Sequence, residues 1–71
     1  MTPVFRVHAA DGGRWQVDHE GSPAMLYDDK EAALTAAVEL ARFQPIAVVR
    51  VYVRGHLESE RTYANEAREA R

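Results

Sequence analysis

Two runs of alternating apolar and polar residues flank a glycine pair, and this arrangement restricts the possible folds more than any other feature of the chain. In Val4 to Ala9, Phe5, Val7 and Ala9 fall on one side and Val4, Arg6 and His8 on the other, the two-residue period of a half-buried strand. In Arg14 to His19, Trp15 and Val17 alternate with Arg14, Gln16 and Asp18. Between the runs, Ala10-Asp11-Gly12-Gly13 supplies residues that accept positive φ at little cost. Strand, turn and strand predict a β-hairpin.

Glu20-Gly21-Ser22-Pro23 reads as a second turn, followed by a short apolar stretch, Ala24 to Tyr27. Asp28, with Glu31 three residues later, forms a capping box, which predicts a helix start. The helix is expected from Asp29 to about Phe43, with a polar stripe of Glu31, Thr35, Glu39 and Arg42. Opposite lie Ala33, Ala37 and Leu40, flanked by Leu34, Ala36 and Ala41, small enough to let the helix lie close on a sheet. Gln44-Pro45 ends it, because proline disfavours helical geometry in the residue before it.

Ile46 to Arg54, rich in valine, predicts a strong strand, and His56 to Tyr63 alternates as another. Two loops can join them. A two-residue Arg54-Gly55 loop places Glu58 and Glu60 on the face of Val49 and Val51, burying carboxylates. A three-residue Val53-Arg54-Gly55 loop instead sets Tyr52 opposite His56, Arg50 opposite Glu58, Val51 facing Leu57 and Val49 facing Ser59. The three-residue loop is therefore expected.

The predicted fold class is α+β, in the order ββαββ. Two β-hairpins form one antiparallel or mixed sheet, covered on one face by a single helix. Residues 1–64 make the domain, and 65–71 a charged, flexible tail. The inner face is expected to hold Phe5, Val7, Trp15, Val17, Val49, Val51 and Leu57 against Ala33, Ala37 and Leu40. A chain of 71 residues with no cysteine buries only ~60% of its unfolded surface and has no disulfide staple. A homodimer would relieve that marginal stability.

At this point the landmarks resemble a known family. Gly13-Arg14-Trp15-Gln16-Val17, Glu20-Gly21, Asp28-Asp29-Lys30-Glu31-Ala32, Ala37 through Leu40-Ala41, Gly55-His56-Leu57 and Glu60-Arg61-Thr62-Tyr63 follow the order found in small, mostly bacterial proteins classed as a domain of unknown function. That pattern is G-G-W-x-V, E-G, D-T-K-x-E-A, D-G-x-I and a closing S-Y or T-Y. It covers roughly Val4 to Tyr63. Two residues depart from it: Arg14 separates the glycines from Trp15, and Arg54 stands where an acidic turn residue is usual. The resemblance implies a compact ββαββ fold and carries no activity or catalytic residue.

Composition narrows the function classes. Nine Lys+Arg against eleven Asp+Glu leave a net charge of -2, unlike domains that hold nucleic acid by bulk charge. Without cysteine there is no thiolate nucleophile or zinc-thiolate site. No apolar run is long enough to span a bilayer, and MTPVFRVHAA has no export-signal pattern. A cytoplasmic protein with no membrane association is expected.

Chemistry-bearing residues are few. Asp18-His19-Glu20 cannot converge on one ion, since successive strand residues point to opposite faces. His8 and His56 meet on the outer face only if their strands are neighbours. Ser22 and Ser59 lack a nucleophile-elbow context, and Glu58 and Glu60, though two apart on one strand, have no enclosed pocket to tune them. No catalytic residue, metal or cofactor is expected, and the chain reads as a non-enzyme.

The outer face of the sheet is the most informative surface. Arg6, Arg14, Val48, Arg50, Tyr52 and Arg54 are its candidate binding residues, accompanied by Val4, Gln16, Ile46 and His56 and by the carboxylates of Asp18, Glu58 and Glu60. Arginine and tyrosine among mixed charges suit a protein interface. The expected role is a non-catalytic protein-interaction module, possible as a homodimer or with an unknown protein partner. The alternative is weak single-stranded nucleic-acid binding, by stacking on Tyr52 and pairing of guanidinium groups with phosphates.

Overall fold

A computed structural model describes residues 2–64. Five strands form one mixed sheet: β1 (Val4–Ala9), β2 (Trp15–His19), β3 (Ser22–Tyr27), β4 (Ile46–Val53) and β5 (His56–Ala64), with one helix, α1 (Lys30–Ala41), between β3 and β4. Their order is β3-β2-β1-β4-β5. The pair β1–β4 is parallel and the other three pairs are antiparallel. The expected α+β class with one helix on one sheet is observed, and the proposed tail lies outside the described residues.

The two hairpins are extended by a third strand. Met25 pairs with Val17 and Tyr27 with Trp15, so the stretch after Pro23 continues the inner face while Leu26, paired with Gln16, continues the outer one. Four residues of apolar sequence gave no clear period, and β2 supplied the partner that made them a strand. A second difference lies at the helix start. Asp29, not Asp28, is the N-cap, its Oδ1 accepting from the Ala32 N–H at 2.8 Å. Glu31 therefore falls one position short of closing a capping box.

Cap position sets which stripe of the helix meets the sheet. Ala33, Ala37 and Ala41, spaced by four, have no exposed surface, and Leu34 and Leu40 pack beside them half-buried. They cover Phe5, Val7, Val17, Ala47, Val49 and Val51, the buried sheet residues. In register, Phe5 lies between His19 and Val49, and Val7 between Val17 and Val51. The His19 ring stacks on Phe5 at 4.4 Å between centroids, while Asp18 pairs with Arg6 on the opposite face, the divergence that strand alternation requires.

The β4–β5 turn corrects the expected loop. Val53 pairs with His56, leaving a two-residue Arg54-Gly55 loop in which both residues have positive φ, 55° and 81°, as a type I′ turn demands. The carboxylate problem is removed by a bulge. Tyr52 pairs with Leu57 but Val51 with Ser59, so Glu58 is an extra residue and the parity of β5 changes there. Glu60 thereby lies opposite Arg50 on the outer face. Glu58 leaves that face, and its Oε1 accepts from Lys30 Nζ at 2.7 Å at the start of α1. Leu57, expected in the core, shares the outer face with Tyr52 and is 51% exposed.

Candidate functional site

All the buried residues of the sheet lie on its helix side, so the outer face is the surface that the described residues leave uncovered. Register orders it into rows. The central row runs Asp18, Arg6, Arg50, Glu60 across β2, β1, β4 and β5. Toward the mouth of the parallel pair, Val4, Val48 and Thr62 form an apolar row, with Ile46 opposite Ala64 beyond it. Toward the β4–β5 turn, Leu26, Gln16 and His8 lie in one line and Tyr52 pairs with Leu57.

Charges in the central row are largely satisfied within the face. Asp18 Oδ1 accepts from Gln16 Nε2 at 2.7 Å, and its Oδ2 lies 2.6 Å from His8 Nε2. Those two hydrogen bonds, Gln16 first, with the His8 and Arg6 charges behind them, hold the Asp18 carboxyl below its usual range against the opposing effect of burial. An ionised carboxylate only accepts, so His8 donates from Nε2. Arg50 Nε stands 3.5 Å from Glu60 Oε2, close enough for an ion pair, yet the N–H is enclosed without a hydrogen-bond acceptor among the described residues.

Of the sequence-predicted binding residues, Arg6, Val48, Arg50 and Tyr52 come together on β1 and β4. Arg54, on the turn, joins Arg6 and Tyr52 around a shallow recess of about 390 Å³. Arg14 lies apart, bordering a separate open recess with Gln16 and Leu26 beside the β1–β2 turn. Two expected relations fail. Arg50 faces Glu60 rather than Glu58, and His56 pairs with Val53 at the turn while His8 faces Gln16, so the two histidines do not meet. The short turn and the bulge each move the register by one residue and together cause the first shift, and β4, lying between β1 and β5, keeps the two histidines apart. Among the described residues, no three His, Cys, Asp or Glu side chains are grouped to hold a metal ion.

Residues 5–63 match the model of a family described as an uncharacterised protein conserved in bacteria, DUF2188. The chain belongs to this family. No curated protein and no solved structure matches it. The DUF2188 match spans Phe5 of β1 through Tyr63 of β5 and so includes the uncovered face except Val4 and Ala64 at its edge. No helix among the described residues is long and apolar enough to cross a membrane.

Leu26 and Leu57 are the outer-face residues that sequence reasoning missed. Leu26 follows from the alternation of Met25 and Tyr27 once that stretch is given a partner strand. Leu57 follows from the two-residue Arg54-Gly55 turn, the loop that the burial of carboxylates argued against until the bulge at Glu58 removed that objection.

Proposed function

We propose that this DUF2188 domain is a non-catalytic protein-interaction module whose contact surface is the outer sheet face, and that one occupant of its apolar end is a second copy of the chain. The carrying observation is the composition of the rows. Val4, Val48 and the 44%-exposed Ile46 form an apolar end bordered by a charged row in which Asp18 is bound by His8 and Arg50 is ion-paired with Glu60. An apolar centre with a polar margin of mixed charge suits protein contact. Burial of this end also offsets the small core of a short chain.

The test is amide NMR of labelled protein across a dilution series. Concentration-dependent shifts confined to Val4, Ile46, Val48 and Thr62 are expected. Shifts centred on the helix stripe of Glu31, Thr35 and Glu39, or none at millimolar concentration, would contradict the proposal.

A second reading, single-stranded nucleic-acid binding, is favoured by one observation: Glu58 turns to Lys30 and no longer offsets Arg6, Arg50 and Arg54 around Tyr52. It requires salt-sensitive oligonucleotide binding that Arg50→Glu abolishes with the fold intact.

A further inference from the structure

We propose that the recess at the turn end of the outer face receives a carboxylate-bearing segment of a partner protein, with Arg6 and Arg54 as the groups that hold the acid. The inference rests on the outer face being a contact surface and names what its turn end takes; it does not require self-association. Arg6, His8, Ala9, Tyr52, Arg54 and Gly55 line the recess. No carboxylate is among them, although the chain as a whole carries a charge of -2.

Two features mark Arg54 as the available cation, whereas Arg6 faces Asp18 across the β1–β2 pair. His8 is held by Asp18, but the side chains of Tyr52 and Arg54 make no hydrogen bond or ion pair with a described residue. Arg54 is moreover the only non-glycine residue at positive φ among the described residues. A type I′ turn favours asparagine, aspartate or glycine at that position, so an arginine there is kept at a conformational cost. That cost places the Arg54 side chain at the recess that Arg6 also lines. Strain of this kind is characteristic of places where a side chain is needed for contact.

The shape of the site selects the ligand. A small molecule is normally enclosed over most of its surface, and this recess is shallow and open. A polynucleotide would carry its next phosphates over the adjoining row, where Asp18 and Glu60 flank the arginines and repel them. A peptide brings one or two carboxylates, which match the planar donor forks of arginine, and can lay an apolar side chain on Leu57 beside Tyr52.

The probe is a blocked tetrapeptide of sequence Leu-Asp-Glu-Leu, titrated into labelled protein in NMR, with its amide counterpart Leu-Asn-Gln-Leu, inorganic phosphate and a thymidine oligonucleotide as comparisons. Saturable shifts at Arg6, Tyr52 and Arg54 are expected with the acidic peptide, and about tenfold weaker binding with the amide peptide, the loss of about one charge-assisted contact. Arg54→Asn, a residue the turn prefers, is expected to keep the fold and weaken the acidic peptide by a similar factor. Equal binding of both peptides, unchanged binding by Arg54→Asn, no saturable shift, or tighter binding of phosphate or oligonucleotide would each overturn the proposal. Self-association through Val48 is measured without peptide, so failure here leaves that reading separately decided.

Discussion

At the scale of single residues, Arg54 and Asp18 carry opposite lessons. Arg54 sits at φ 55°, where a β-carbon costs roughly 1–2 kcal/mol relative to glycine. Arg54→Asn is therefore expected to stabilise the domain by about 0.5–1 kcal/mol, seen as a higher thermal midpoint. A lower midpoint would mean that the guanidinium makes contacts that support the fold. Asp18 is a residue whose environment helps: its folded pKa is depressed, so its contribution is present above the unfolded value and lost as pH falls through the folded one. With the side chain 34% exposed, solvent screening limits the effect to about 0.5 kcal/mol. Urea unfolding of wild type and Asp18→Asn should differ by that amount at pH 7 and converge at acid pH below the folded pKa. A gap that stays constant down to pH 2 would remove ionisation of Asp18 from the explanation.

At the scale of elements, α1 and β5 divide what was legible in the sequence from what was not. The helix was readable because its alanine spacing and its stop at Pro45 are local, and the cap differed by one residue because Asp28 and Asp29 offer equivalent side chains. Its buried stripe makes a sharp prediction. Ala37 has no exposed surface, so Ala37→Leu should cost about 1–3 kcal/mol by wedging the helix off the sheet, while Thr35→Leu on the exposed side should leave the denaturation midpoint nearly unchanged. β5 was not readable, because its register depends on a bulge that balances two non-local needs: an acid kept out of the core and a lysine 28 residues away in sequence that pairs with it. Deleting Glu58 converts the bulged ladder into a regular one and removes the partner of Lys30. The fold is expected to survive with a loss of no more than about 1 kcal/mol, since both side chains are largely exposed, and cross-strand NOEs should still join Arg50 to Glu60. Loss of those NOEs would show that the register is set elsewhere.

At the scale of the whole molecule, the one helix and five strands among the described residues leave one face of the sheet with no covering layer of theirs, and the proposed function follows from that asymmetry. The alternation of β1 and β4 was enough to place Arg6, Val48, Arg50 and Tyr52 together on it. Of their neighbours, Glu60 was expected on this face, whereas Leu26 needs the third strand and Leu57 the two-residue turn. The same two features make the face more apolar at its β3 and β5 margins and less acidic at its turn end than alternation alone implies. The most direct measurement is the mass of the protein in solution by sedimentation over a wide concentration range, for wild type and Val48→Glu. The wild type should approach twice 8.0 kDa as concentration rises, while Val48→Glu stays folded at the single-chain mass. A wild-type mass fixed at 8.0 kDa throughout, or a dimer that survives Val48→Glu, would contradict the assignment of this face as the surface on which two copies meet.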